Sequence, residues 1–309
     1  MSTPIWQADI AIDTALAARA IGAQFPQFAG VPIEVFGSGW DNAAFLVDGD
    51  TVFRFPRRRV AVRLMERECA LLPLIAPLLP LPISAPVFAG SSQPAYPWPF
   101  AGYPRIDGAT ACTIALDAAA RGALAAPLGE FLRALHRIDP APLVARGLRP
   151  DEIGRLDHAK RLRLARERAG ALSAIGIDDG AGFLRWLENH PPLAPVNSAR
   201  AIVHGDLYAR HVLLDERCAP SGIIDWGDIH LGDPALDIAI AHLMLPACDY
   251  AAFRDAYGPI DERTWQAARF RAIYHAFIEI DYGVRENDAG MRAIGTAALE
   301  LIGPQIESA

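Results

Sequence analysis

Lysine is almost missing from this chain: of the 29 lysine and arginine residues among its 309, only Lys160 is a lysine. That excludes a phosphate-binding P-loop, which needs Gly-Lys-Ser/Thr, and leaves Schiff-base chemistry a single candidate nitrogen. Cysteine is scarce as well. Cys69, Cys112, Cys218 and Cys248 lie far apart with no Cys-x-x-Cys pair, so neither a disulfide framework nor a cysteine zinc site is indicated, and a reducing compartment fits. Met1 to Ile10 lacks a basic stretch followed by an apolar one, so no secretory signal is expected there. Charge is absent from Cys69 to Pro104, 36 residues that include nine prolines. An uninterrupted membrane-spanning helix would not tolerate them. The segment reads as buried strands and turns of a soluble, cytoplasmic protein with no membrane partner.

What is present is a folded chain's composition. Hydrophobic residues make up 52% and charged residues 21%, enough apolar surface to form a core and to exclude disorder. The length suits two domains or one two-lobed unit. A net charge of −7 repels phosphate backbones, which argues against nucleic acid and favours cationic small molecules.

Residues 8 to 24 are helix-like. Val31 to Phe36, Ala43 to Val47 and Thr51 to Phe55 read as three short antiparallel strands separated by Gly37-Ser38-Gly39 and by Asp48-Gly49-Asp50. Val60 to Leu72 reads as a helix that prolines stop, with strand candidates following at Ser84 to Ala89 and Phe100 to Ile106. Beyond Asp107-Gly108 helical periods dominate: Ala111 to Ile138, Arg155 to Ile175, Gly182 to Asn189, and most of the chain from Tyr250 onward. One β-like island interrupts them, at 201–203, 212–214 and 222–224. The expectation is an α+β architecture with residues 1–104 as a small sheet lobe, 105–309 as a larger, mainly helical lobe, and a cleft between them.

The island holds nearly all the chemistry-bearing residues. It reads His204-Gly205-Asp206-Leu207-Tyr208-Ala209-Arg210-His211, then Ile223-Ile224-Asp225-Trp226-Gly227-Asp228. Asp206 and Asp225 each follow an apolar run, with His211 five residues after the first acid. In a hairpin, residues before one strand and after the next meet at one end of the sheet. Such a site would supply one free carboxylate and two metal ligands. In the first half, Gly37, Ser38 and Gly39 form a turn whose backbone amides can approach phosphates. Glu68, on the helix after the strand containing Arg54, faces inward by its spacing and would pair with that arginine, with Glu66 as its nearest rival.

This joint pattern resembles the aminoglycoside and macrolide phosphotransferase family, whose fold is similar to that of protein kinases. The family's His-Gly-Asp-Leu, three variable residues, then Asn or His, and later Ile-Asp-Trp or Ile-Asp-Phe, are matched by 204–207, His211 and 224–226. The resemblance implies nucleotide-dependent transfer of a phosphoryl group to a hydroxyl of a small, amine-bearing acceptor, with ATP or GTP and Mg2+ or Mn2+. It implies Asp206 as catalytic base and His211 and Asp225 as metal ligands. Arg54 stands where the family's relatives carry a phosphate-contacting lysine. Tyr103, in Gly102 to Gly108, falls in a hinge where a purine meets backbone groups. His211 in place of Asn is the form of the macrolide 2'-phosphotransferases.

Around this core, His204 reads as a loop-holding hydrogen bonder, Asp233 as a helix cap before Pro234, and Asp237 as a brace for the loop. The basic run Lys160 to Arg168 reads as a solvated helix face, Arg57 to Arg59 as a solvated strand end, and Glu279, Asp281, Glu286 and Asp288 as solvent-facing acids or a cationic acceptor's partners. Two other readings compete. A metal-dependent hydrolase could use His204, Asp206, His211, Asp225 and His230, but leaves Arg54, Glu68 and the glycine turn without a job. A nucleotide-binding module without catalysis would be expected to lack the base, and Asp206 is present.

Overall fold

The computed structural model describes residues 8–39, 41–176, 180–192 and 200–306. Trp40, within the glycine turn, and 307–309, at the end of the helical expectation, lie outside the described residues. The first helix, α1 (Thr14–Gln24), starts at Thr14 rather than at residue 8, because the Asp13 side chain accepts from Leu16 N at 2.7 Å and caps the first turn. Strands β1 (Ile33–Ser38), β2 (Asn42–Val47) and β3 (Thr51–Pro56) form the expected antiparallel meander. Asp48 and Gly49 reverse the chain between β2 and β3 with φ of 54° and 76°, a region Asp tolerates and Gly prefers.

Helix α2 (Arg59–Ile75) runs past the expected stop and takes Pro73 into its last turn, where the missing N–H leaves only one carbonyl without its helical donor. Strands β4 (Phe88–Gly90) and β5 (Phe100–Pro104) are shorter than expected and complete a five-stranded sheet of order β1-β2-β3-β5-β4. α1 and the aromatic rings cover one face: Phe55 and Phe100 stack at 4.6 Å, and Phe25, Phe28, Phe53 and Phe88 interlock beside them.

After the two-residue β6 (Ala109–Thr110), the single helix expected over 111–138 is broken into α3 (Ala118–Ala123) and α4 (Ala125–His136). Asp117 restarts the helix by accepting from Ala120 N at 2.8 Å. The short α5 (Ala141–Val144) leads to α6 (His158–Ala174), capped by Asp157, and α7 (Gly180–Asn189). The β-island is two sheets, not one. β7 (Ala201–Val203) pairs with β10 (His230–Gly232), whereas β8 (Val212–Leu214) lies between β6 and β9 (Pro220–Ile223). The buried helix α8 (Ala235–Met244), α9 (Tyr250–Tyr257), and the long pair α10 (Glu262–Arg285) and α11 (Ala289–Ile306) finish the chain around a second core that includes Trp226. The fold is kinase-like: an antiparallel sheet part followed by a helical part.

No helix among the described residues is long and apolar enough to cross a membrane. The basic run on α6 is only partly solvated. Arg161 is buried, donating to the carbonyls of Gly154 at 2.8 Å and Ile153 at 2.6 Å, and Arg168 reaches Asp281 at 3.4 Å. Both guanidinium groups lie over Tyr274, so this face packs against α10.

Candidate active site

Two loops at the ends of short strands build the site. β7 delivers His204, Gly205 and Asp206. Gly205 has φ of 84°, and a Cβ there would stand 2.6 Å from the His230 ring and 2.7 Å from the Asp228 carbonyl, so only glycine fits. Asp237, fully buried on α8, accepts from the backbone N–H groups of His204 at 2.7 Å and Gly205 at 2.8 Å. His136 contacts the same carboxylate at 3.2 Å. Burial would raise the Asp237 carboxyl, but the hydrogen bonds from His136 and the loop hold it below its ordinary value. His204 is fully buried: Nε2 meets the Ile224 carbonyl at 3.0 Å and Nδ1 accepts from Asp206 N at 3.3 Å. With both ring nitrogens engaged, His204 ties the two loops together and is not available as a metal ligand.

His211 precedes β8 and Asp225 follows β9, so their hairpin brings them together: Nε2 lies 3.3 Å from Asp225 Oδ2. His211 Nδ1 faces the Asp206 carbonyl at 2.8 Å, which makes Nδ1 the protonated donor and leaves Nε2 facing Asp225. Asp225 has φ of 65°, a left-handed conformation that is uncommon outside glycine and that Asp adopts more readily than most. Its side chain stays half-exposed. Although partial desolvation works against its charge, contact with His211 and then Arg54 holds the carboxyl well below the usual carboxylate range. Burial pulls the His211 imidazole down, but Asp225 outweighs it and leaves the group raised.

The sheet lobe meets this pair through Arg54. Its neighbours on β3 are buried, and its guanidinium donates to Glu68 Oε2 at 3.0 Å while a second nitrogen stands 3.7 Å from Asp225 Oδ1. Burial disfavours the charge on Arg54, yet Glu68 beside it holds the guanidinium protonated. Glu68 is buried and Glu66 exposed. The Tyr103 side chain is buried: its hydroxyl donates to Glu68 Oε2 at 2.9 Å, and Arg54 lies over its ring. Gly37 and the Ser38 backbone end β1, with a bulge between Val35 and Gly37, and Gly39 N donates to the Asn42 carbonyl at 2.9 Å. Of the arginine run, Arg57 and Arg58 support this turn, whereas Arg59 stands exposed as expected. Arg57 donates to the Gly39 carbonyl at 3.2 Å and Arg58 pairs with Asp41 at 2.8 Å.

Three functional-site residues escape the sequence reading. Arg271 on α10 is buried and donates from Nη2 to Asp206 Oδ1 at 3.2 Å, and His275 Nδ1 lies 3.8 Å from the same oxygen. Arg155, before α6, bridges Asp151 and Asp228. Glu279 and Asp281 are buried rather than solvent-facing. Desolvation raises the Asp206 carboxyl above its ordinary value, with Arg271 and the histidines opposing. Glu279 is pushed well up and His275 well down by burial. The spacing of four between Arg271, His275 and Glu279, which puts them on one face of α10, was the available signal.

Among the described residues no cluster of three or more His, Cys, Asp or Glu could hold a metal ion by itself. A pair does fit one: a neutral-capable Nε2 beside a half-exposed, strongly acidic carboxylate. Magnesium characteristically takes one or two protein ligands and fills the rest of its octahedron with water and phosphate oxygens. The hydrolase arrangement lacks His204, and His230 lies in β10 with Nδ1 on the Asp228 carbonyl at 2.7 Å.

A family model described as the phosphotransferase enzyme family matches residues 32–271. Among curated proteins, the uncharacterized protein YcbJ of Bacillus subtilis is 28% identical over 65 residues, 21% of each chain, so the match spans about a fifth of that relative's length. Among solved structures, the GDP complex of wild-type aminoglycoside 2'-phosphotransferase-IIIa superposes with a TM-score of 0.68 at 22% identity, covering 96% of this chain and 99% of that one. The GDP and kanamycin complex of APH(2")-IIia gives 0.65 at 24%, covering 94% and 98%. The macrolide 2'-phosphotransferase MphH of Brachybacterium faecium gives 0.60 at 19%, covering 94% and 97%. These likenesses establish the fold.

Proposed function

The chain belongs to the phosphotransferase enzyme family, a family of small-molecule kinases, and from that premise we propose that it moves the γ-phosphoryl group of ATP or GTP to a hydroxyl of an amine-bearing antibiotic of macrolide or aminoglycoside type. The observation that carries the reading is Arg54, whose guanidinium is held between Glu68 and Asp225. It joins the glycine-turn lobe to the loop pair that contains Asp206, so nucleotide phosphates and the base share one cleft. The lobes divide at 104/105, the first binding nucleotide and the second providing the base and acceptor pocket.

Asp206 accepts the acceptor's hydroxyl proton, Arg54 contacts the phosphates, and Glu68 with Tyr103 fixes its direction. The backbone of Gly37, Ser38 and Gly39 lies over the phosphates. His211 and Asp225 would hold magnesium or manganese, which when bound would neutralise charge on the phosphates. Transfer of this kind is mainly positioning and electrostatic stabilisation, so a carboxylate and fixed cations suffice. The net charge of −7 favours a cationic acceptor. Kanamycin, gentamicin and streptomycin occupy solved structures of similar fold, as do GDP, ATP and ADP, and His211 in place of Asn leans toward macrolides. The test is a panel of aminoglycosides and macrolides assayed for ADP and GDP release, with thermal shifts in the two nucleotides. Release that depends on an acceptor supports the reading; release of phosphate from an ester without nucleotide overturns it.

A further inference from the structure

Helix α10 carries a file of polar side chains, Arg271, His275 and Glu279, each four residues from the next and each more than nine-tenths buried. The file ends on Asp206. Arg271 Nη2 donates to Oδ1 at 3.2 Å; His275 Nδ1 lies 3.8 Å from the same oxygen, and its Nε2 lies 3.5 Å from Glu279 Oε1. Neither nitrogen of His275 and neither carboxylate oxygen of Glu279 has a hydrogen-bond partner. The His275 ring packs against Tyr208 at 4.7 Å.

Burying a guanidinium costs several kcal/mol unless it is paired, and apolar residues of similar volume usually serve stability as well or better. Arg271 is bonded to one oxygen of a carboxylate that is still partly exposed. A carboxylate without such a bond rotates about its last torsion and presents either oxygen. A charge-assisted bond to one oxygen removes that freedom.

We propose that Arg271 is a positioning residue for the base: it holds Oδ1 of Asp206 and leaves Oδ2 to take the acceptor's proton. This rests on Asp206 being the base of a phosphoryl transfer. In that step the acceptor oxygen bonds to the γ-phosphorus, the bond from phosphorus to the β,γ-bridging oxygen breaks with release of the nucleoside diphosphate, and the hydroxyl proton passes to Oδ2 and then to solvent. With water as acceptor the same step yields inorganic phosphate, so it can be followed before the natural acceptor is known.

The experiment measures GTP and ATP hydrolysis by wild type, Asp206→Ala, Arg271→Ala and Arg271→Lys, with and without non-denaturing guanidinium chloride. Arg271→Ala should lose about tenfold or more in kcat while nucleotide KM stays within about twofold, the signature of an interaction used only in the reacting state. Guanidinium ion should restore part of that loss in Arg271→Ala and none in Asp206→Ala. Arg271→Lys, which keeps the charge but not the fork, should fall between. A folded Arg271→Ala with wild-type kcat, or with a loss that guanidinium does not restore, overturns the proposal and leaves the function standing. If Arg271→Ala does not fold, a wild-type kcat in Arg271→Lys overturns it instead. Wild type that hydrolyses neither nucleotide, or Asp206→Ala as active as wild type, overturns the reading of Asp206 itself.

Discussion

Asp206→Ala is expected to lower turnover by about a hundred- to ten-thousandfold, the range of general-base assistance, while nucleotide binding survives. Steady-state kinetics beside a nucleotide titration check this; turnover within a few-fold of wild type would remove Asp206 from the role. Arg54→Ala is expected to weaken nucleotide binding roughly tenfold or more, since a hydrogen bond to a charged group is worth about 1.5–3 kcal/mol. Arg57→Ala should cost less, because Arg57 reaches the backbone of the glycine turn rather than Glu68 and the cleft. Equal losses by titration would contradict the placement. At position 211, imidazole suits manganese and later transition ions better than it suits magnesium. His211→Asn should therefore lower the ratio of Mn2+ to Mg2+ affinity in the nucleotide-bound protein, read by Mn2+ electron paramagnetic resonance. An unchanged ratio would mean that His211 is not a ligand.

Among the elements, α8 matters most to the loop of Asp206, because Asp237 at its start accepts two backbone N–H groups there. Asp237→Asn keeps one acceptor oxygen and presents an NH2 group to the other donor, so it should cost about 1.5–3 kcal/mol by denaturant unfolding near neutral pH. The sign of its pH dependence follows from its lowered pKa. An acid more acidic folded than unfolded stabilises fully above its ordinary value of about 4, and that stability is lost as pH falls below it toward the folded value. Wild type should therefore lose stability on acidification below about pH 4 more steeply than Asp237→Asn. Equal slopes would contradict the brace.

Elements set by local chemistry were legible in the sequence. The β1–β3 meander follows from short β-prone runs and the turn at Asp48 and Gly49, and the His211–Asp225 approach follows from the β8–β9 hairpin. What the sequence could not show depends on distant partners. β7 pairs with β10 rather than with the island's other strands, and the helical period expected from Ala111 begins only after Asp117 and is split at Leu124. Tyr103 lies in the expected strand, but its burial against Glu68 is tertiary. Arg271 and Arg155 meet Asp206 and Asp228 across 65 and 73 residues of chain, with no motif to mark them.

For the whole molecule, the acidic chain and its arginine-for-lysine bias converge on the cleft, where Arg54 and Arg271 hold fixed positions on either side of the carboxylates Asp225 and Asp206. The central claim is phosphoryl transfer to a hydroxyl of a small molecule. Its most direct test is mass spectrometry of aminoglycoside and macrolide acceptors after incubation with the protein, magnesium and either ATP or GTP. An acceptor should gain one phosphate as one nucleoside diphosphate is released, with both products lost in Asp206→Ala. An acceptor that is instead adenylated, acetylated or hydrolysed, or a panel unchanged with every nucleotide, would contradict it.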